Sequence, residues 1–153
     1  MAVFSWMDGD VPPGIAVTQV YGILFSRDGR MLLCRDGEHY SLAGGKPEPD
    51  DDGFAGTLRR ELLEEVNVEI EPPQLVGYQL VDEQDGFHPY AQVRMAAFIK
   101  RVGKRKPDPA TGRIYERILV PYDRAISLLK WGQVGERQIL SAVQIMRGMG
   151  ARI

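Results

Sequence analysis

Glu61, Glu64 and Glu65 stand three and four residues apart in the segment RRELLEEVNV. On a helix, at about 100° per residue, that spacing sets three carboxylates within a sector of roughly 100° on one face. Like charges so placed repel one another, so the arrangement is best satisfied by a cation. Oxygen-only donors suit hard divalent ions, Mg2+ or Mn2+ first, and such ions commonly bridge to substrate phosphates. A solvated amphipathic helix whose glutamates simply face water fits the same spacing, and the spacing alone leaves both readings open.

The surrounding residues predict a helix entered from a loop. Asp50, Asp51 and Asp52 follow a Gly- and Pro-containing stretch and offer N-cap carboxylates, and Phe54, Leu58, Leu62 and Val66 recur every fourth residue as an apolar stripe. Arg60 precedes Glu64 by four residues and is placed to hold it by an ion pair. Asn67 stands where a left-handed residue would end the helix, Asn being the usual substitute for Gly there.

The stretch GGKPEPDDDGFAGTLRRELLEEVNV resembles the signature of the Nudix hydrolase family, G-x(5)-E-x(7)-R-E-U-x-E-E-x-G-U with U a bulky aliphatic residue. Gly45, Arg60, Glu61, Leu62, Glu64, Glu65 and Val68 match it in order, and Gly44, Lys46 and Glu48 match its usual surroundings. There are departures. Gly45 and Arg60 are one residue too far apart, an Asp stands for the first Glu, Asn67 replaces the last Gly, and Ala43 stands where many members have Pro. An insertion inside the helix would rotate the apolar stripe by about 100°, whereas a longer surface loop costs little, so the extra residue is expected in the loop. That register puts Asp52 in the place of the first Glu.

The resemblance implies that Glu61, Glu64 and Glu65 carry the metal, that a carbonyl of the glycine pair, here Gly45, adds a ligand, and that Arg60 belongs to the catalytic set. The general base in this family comes from the signature glutamates or from an acidic residue on a distant loop. Glu83, Asp85 and Glu116 are the candidates outside the helix, with Glu116 preferred because it precedes Leu119-Val120-Pro121, which is similar to a common strand end of the family. A surface pairing of Glu116 with Arg117 or Arg113 competes with that role. Gly44 and Gly45, lacking side chains, allow close approach of a ligand to the backbone, and Lys46 is placed to meet a phosphate. Together with Arg35 and Trp131 they form the expected substrate-binding set. Trp131 stands where some nucleotide-cleaving relatives stack a base, although a core plug suits it too. Tyr21 and Tyr40 suit either the wall of such a pocket or the packing beneath it.

At 153 residues with 44% hydrophobic content, the chain is expected to fold as one domain over 1–153, with 1–16 as an N-terminal extension outside the resemblance. A formal charge of −2 gives no global attraction to nucleic acid or an anionic membrane, and no apolar run is long enough to span a bilayer. The N-terminus lacks a basic region followed by an apolar core, and Cys34 is a lone cysteine in an apolar segment, so a cytoplasmic location is expected. His39 and His88 lack partners at ligand spacing, which argues against zinc. The basic loop from Lys100 to Lys106 is suited to steering polyphosphates, but without interleaved aromatics it is no dedicated nucleic-acid surface.

The element order predicted is strands at Val17 to Phe25, Arg30 to Arg35 and Tyr40 to Ala43, with a turn at 26–29, then the acidic helix. Strands follow at Gln74 to Val81, Tyr90 to Val102 and Tyr115 to Val120, with helices from Pro121 to about Lys130 and from Glu136 to Met149. The class is α/β, and the Nudix fold that the resemblance implies is a mixed β-sheet sandwiched between α-helices. The expected activity is divalent-metal-dependent cleavage of a phosphoanhydride bond in a nucleoside diphosphate linked to another group, triphosphates and nucleotide sugars such as ADP-ribose included. The expected partner is a small-molecule nucleotide, with assembly as a homodimer left open. The alternative from another class is a non-catalytic nucleotide-binding or regulatory module on the same fold.

Overall fold

A computed structural model describes residues 1–153. Strands β1 (Val3–Asp8), β2 (Val17–Phe25), β3 (Met31–Asp36), β4 (His39–Ser41) and β5 (Ala43–Gly45) precede helix α1 (Gly53–Val66). Strands β6 (Val68–Ile70), β7 (Gln74–Asp82), β8 (Tyr90–Val102) and β9 (Glu116–Val120) follow, then α2 (Tyr122–Leu129) and α3 (Gly132–Gly148). The main sheet runs β1-β7-β8-β2-β3-β4, with β5 added to β2, β6 to β8 and β9 to β3. It is mixed, because β2 and β8 pair in parallel while the other pairs are antiparallel.

Both faces of the sheet are covered, which explains why β2 and β3 read as nearly continuous apolar runs rather than as alternating ones. Val20, Leu24, Leu32 and Cys34 point to one face and pack with Leu58, Leu62 and Val66 of α1. Ile23, Phe25, Met31 and Leu33 point to the other and pack with Ala125, Ile139, Val143 and Met146 of α2 and α3. Leu58 and Leu62 are fully buried, so truncating either to Ala is expected to cost ~2–5 kcal/mol.

Two features of this frame position the site. Strands β2 and β3 touch only at Phe25 and Met31 and then part, and β5 occupies the opened edge of β2, with Gly44 opposite Tyr21 and Gly45 opposite Val20. The glycine pair is thereby brought against α1. The second feature is the α2–α3 corner, where Lys130 and Gly132 both take positive φ and turn the chain sharply around Trp131. That corner starts α3 at Gly132, four residues before the expected Glu136.

The N-terminal segment supplies a strand that the sequence did not announce. In β1 only Trp6 is buried, so the strand carries almost no apolar alternation, yet it lines the sheet edge along β7. The three-residue β6 was equally silent. Helix α1 runs unbroken from Gly53 and ends on Asn67 at φ 54 and ψ 51, the left-handed conformation expected of it. No helix is long and apolar enough to cross a membrane.

Candidate active site

The loop entering α1 is organised by one carboxylate and one guanidinium. Arg60 donates from Nε to Asp51 Oδ1 at 2.7 Å and from Nη2 to Asp51 Oδ2 at 2.9 Å, a bidentate pair. Asp51 Oδ2 also accepts from the Thr57 hydroxyl at 2.7 Å and from the Glu48 amide at 2.9 Å. The Arg60 guanidinium accordingly holds the Asp51 carboxyl well below the usual carboxylate range. Asp52, expected to stand in for the first Glu of the signature, makes no side-chain cap bond and is exposed. The insertion does fall in the loop, but Asp51 takes the anchoring role. Gly53, at φ 65, bends the chain into the helix and leaves Asp52 facing outward.

Arg60 also reaches the acidic face. Its Nη1 donates to Glu61 Oε1 at 2.9 Å and to Glu64 Oε2 at 3.4 Å, and its Nη2 donates to the Lys46 carbonyl at 2.9 Å. The guanidinium therefore ties β5, the loop and α1 into one unit. Lys46 contributes this carbonyl, while its side chain is exposed.

Glu61 lies against Gly45 so closely that a Cβ there would overlap its carboxyl, and a Cβ at Gly44 would overlap the Val20 carbonyl. Gly44 is thus required by contact with fixed backbone, whereas a side chain at Gly45 would displace the Glu61 carboxyl. Glu65 Oε2 accepts from the Gly44 amide at 3.5 Å, a long bond. Burial first, and then the charges of Asp108 and Glu61, push the Glu65 carboxyl up to about 7, while the Gly44 amide holds it down in part. Burial also raises Glu61, against the lowering effect of Arg60.

The three glutamates share a helix face as expected but do not converge on a point. Glu61 turns to Arg60, Glu64 is half-exposed, and Glu65 turns to Gly44; no three His, Cys, Asp or Glu side chains are gathered into a metal cage. The donor chemistry nonetheless fits a hard divalent ion. Glu61 and Glu65 are partly withdrawn from water beside the glycine backbone, only Glu61 of the two meets the Arg60 guanidinium, and a small cation would relieve the remaining charge.

Glu65 opens into a cavity of about 320 Å³ that Tyr21, Asp108, Thr111, Tyr115 and Trp131 also line. Trp131 is therefore brought to Glu65 from the far side of the sheet, through the gap where β2 and β3 part. Asp108 comes from the loop after β8. Its carboxylate accepts from the Ala110 amide at 2.9 Å, and its own amide donates to the Arg113 carbonyl at 2.8 Å, which folds the loop back over the cavity.

Glu116 is not in this cavity. Leu119 of β9 and Tyr115 just before the strand pack on the α1 side, and Arg117 on that side donates to the Val66 carbonyl at 2.6 Å; Ile118 and Val120 pack on the α2–α3 side. Alternation puts Glu116 with the latter, where it pairs with Arg35 at 3.9 Å. Neither Glu116 nor Arg35 lines the cavity; they pair with each other across β3 and β9. Glu83 accepts from the Tyr90 hydroxyl at 2.6 Å and Asp85 from the Phe87 amide at 3.1 Å, both local bonds within their own loop. Asp108 is an acidic residue outside α1 that does line the cavity, and sequence reasoning missed it because its loop read as basic.

A second cavity, of about 490 Å³, lies on the α3 side between β1, β7, β8 and the α2–α3 corner. Trp131 lines it too, with Phe4, Gln79, Gln92, Arg94 and Val134. A row of amides crosses its floor. Gln138 donates to Gln79 at 3.3 Å, Gln79 to Gln92 at 2.9 Å, and Gln92 to Gln19 at 3.1 Å, and Gln19 also accepts from the Tyr21 hydroxyl at 2.8 Å.

A strand-lined glycine pair facing an acidic helix on a mixed α/β sheet defines the Nudix class, and comparison with known proteins agrees. The NUDIX domain profile matches residues 17–143, and the chain belongs to the Nudix hydrolase family. No curated protein matches it in sequence. Among solved structures, the chain is similar to a NUDIX hydrolase from Listeria monocytogenes, with a TM-score of 0.64 at 15% identity over 89% of this chain and 98% of that one. It is also similar to the pyrophosphohydrolase BsRppH of Bacillus subtilis, with a TM-score of 0.58 at 19% identity over 76% and 70% of the two chains. The MutT protein of Bacillus halodurans gives a TM-score of 0.58 at 17% identity over 79% and 78%. At such identities the likeness is one of fold.

Proposed function

We propose that this hydrolase cleaves a phosphoanhydride bond in a nucleoside diphosphate joined to another group, with Mg2+ or Mn2+ held at the acidic face of α1. The observation that carries the reading is Glu65: a half-buried carboxylate at the meeting of α1, the glycine strand and an aromatic-walled cavity, pushed up to about 7 by burial and neighbouring acids. Glu61, Glu64 and Glu65, with the Gly45 carbonyl, would hold the ion. The bound ion would neutralise phosphate oxygens and make an attacking water more acidic.

The chain's own groups do the rest. Arg60 fixes Glu61 and, through Asp51, the loop that presents Gly44 and Gly45. The bare glycine backbone lets a phosphate approach, Tyr21 and Trp131 wall the cavity, and Asp108 takes the place of Glu116 as the distant candidate for general base. The similarity to a pyrophosphohydrolase supports the same reaction type.

A second reading, a nucleotide-binding module without turnover, draws support from the divergence of the three carboxylates. A hydrolysis screen over nucleoside triphosphates, nucleotide sugars, dinucleoside polyphosphates and capped RNA separates the two. Phosphate, pyrophosphate and mononucleotide are measured with and without Mg2+ or Mn2+. Product that requires metal and disappears in Glu65→Gln supports catalysis. Nucleotide binding with no metal-dependent product from a well-folded chain supports the module.

A further inference from the structure

The second cavity holds a charge that the hydrolytic reading does not use. Arg94, on β8, is 3% exposed and none of the molecule's ion pairs includes it. Its Nε donates to Gln138 at 2.7 Å, while its Nη1 is buried with no partner. Burial lowers it to about 10, which leaves it a cation at neutral pH. The Tyr21 and Trp131 rings lie 5.0 and 5.7 Å from the guanidinium carbon and soften the charge without giving the orphaned donor an acceptor. A guanidinium withdrawn from water with a free N–H is unfavourable unless something accepts from it. The protein supplies no such group, and Arg94 is among the residues that line the cavity.

We propose that this cavity is a subsite for a planar group presenting two adjacent acceptors, either the O6/N7 edge of a guanine or a ring-borne carboxylate, and that Arg94 selects it. The planar fork of a guanidinium matches such paired acceptors, and the same fork meets a repelling amino group on adenine. Gln79 and Gln92 each spend one amide N–H within the row and keep a second, so the polar floor adds further donors. Phe4, Val134 and Trp131 supply apolar walls suited to a ring, and a volume of about 490 Å³ accommodates one. Trp131 is shared with the Glu65 cavity, so a substrate whose diphosphate lies at Glu65 can extend past the indole to Arg94. Only this last link rests on the function proposed above.

The test reads binding without metal or turnover, so it stands or falls separately from hydrolysis. The full chain carrying Glu65→Gln is titrated in chelator-treated buffer with GMP, AMP and benzoate, by calorimetry and by indole fluorescence. GMP binding about ten-fold or more tighter than AMP is expected. Adding Arg94→Gln should weaken GMP and remove its preference over AMP, while AMP is not weakened, because a glutamine amide pairs with the N6/N7 edge of adenine. Equal GMP and AMP affinities, with benzoate binding that vanishes in Arg94→Gln, would assign the carboxylate as the natural source of the same chemistry. Val134→Trp, which fills the cavity from its apolar wall and keeps Arg94 in the chain, should abolish whichever preference is found, and serves if Arg94→Gln does not fold. Equal affinities with no Arg94-dependent benzoate binding, or a GMP preference that survives both substitutions, overturns the proposal.

Discussion

Arg60 and Arg94 sit on opposite faces of one sheet and are held in opposite ways. Arg60, only partly buried, meets Asp51 twice, Glu61, Glu64 and the Lys46 carbonyl, so its charge is fully spent on building the loop and the acidic face. Arg94, almost completely buried, meets one amide oxygen and no carboxylate. A paired arginine positions other groups, whereas an unpaired one waits for a group from outside. Burial alone does not tell a structural arginine from a recognising one; the partner count does.

The sharpest break in that comparison comes from the acids that Arg60 organises. Glu65→Gln is expected to lower metal-dependent turnover by ~10²-fold or more with the fold intact, read as initial rate alongside circular dichroism. An unchanged rate would detach the acidic face from the chemistry.

Next come the anchors. Asp51→Ala should lower Tm by several degrees, because Arg60, Thr57 and the Glu48 amide all lose their acceptor, while Asp52→Ala should stay within about 2 °C of the parent. Equal effects at the two positions would return the anchoring role to Asp52. Because Arg60 depresses the Asp51 carboxyl, its contribution is present above the ordinary carboxylate value and is lost as pH falls through the lower folded value.

Glu65 has the opposite sign. Raised to about 7, it binds its proton more tightly in the folded chain than in the unfolded one, so metal-free stability should fall as pH rises from about 4.5 to about 7. The drop is on the order of 3 kcal/mol, and Glu65→Gln should flatten that part of the profile. Denaturant titrations across this window measure it, and a parent profile no steeper than that of the variant would contradict the burial of the carboxylate.

The smallest expected change is Arg94→Met. Exchanging the buried, unpaired charge for an apolar chain of similar length removes its desolvation cost but leaves the Gln138 oxygen without its donor, so the two effects oppose and Tm should stay within about 2 °C of the parent, whereas Arg60→Met should lower it by several degrees. Thermal melts of the two variants side by side decide this, and equal losses would erase the distinction between the arginines.

Much of the frame was legible because local pattern and tertiary environment agreed. The stripe through Leu58, Leu62 and Val66 fixed α1 and its register, Asn67 fixed its end, and β2 and β8 lie at the expected residues. What failed depended on information that no local pattern holds. Asp50, Asp51 and Asp52 are chemically identical, and only the bend at Gly53 decides which of them faces Arg60. Alternation on β9 separates Glu116 from Tyr115, but only the packing of α1 says which side carries the site. Asp108 stands in a loop whose basic residues set its apparent character. Arg94 did leave a signal, a lone cation inside the otherwise apolar run from Val93 to Ile99 of β8, and a stretch buried on both faces has little reason to carry one.

The amide row beneath Arg94 has a consequence for how this sequence can drift. Its hydrogen bonds all point one way, from Arg94 through Gln138, Gln79 and Gln92 to Gln19, where the Tyr21 hydroxyl closes the line from the other end. Each inner member must both accept and donate, a requirement that glutamate, leucine and lysine all fail. Replacing one glutamine therefore orphans a neighbour on each side, and the loss is repaired only by changing several positions together. Relatives of this chain should accordingly keep the whole set of glutamines or abandon it as a block, with mosaics of the two states rare, so that four scattered positions behave as a single inherited character.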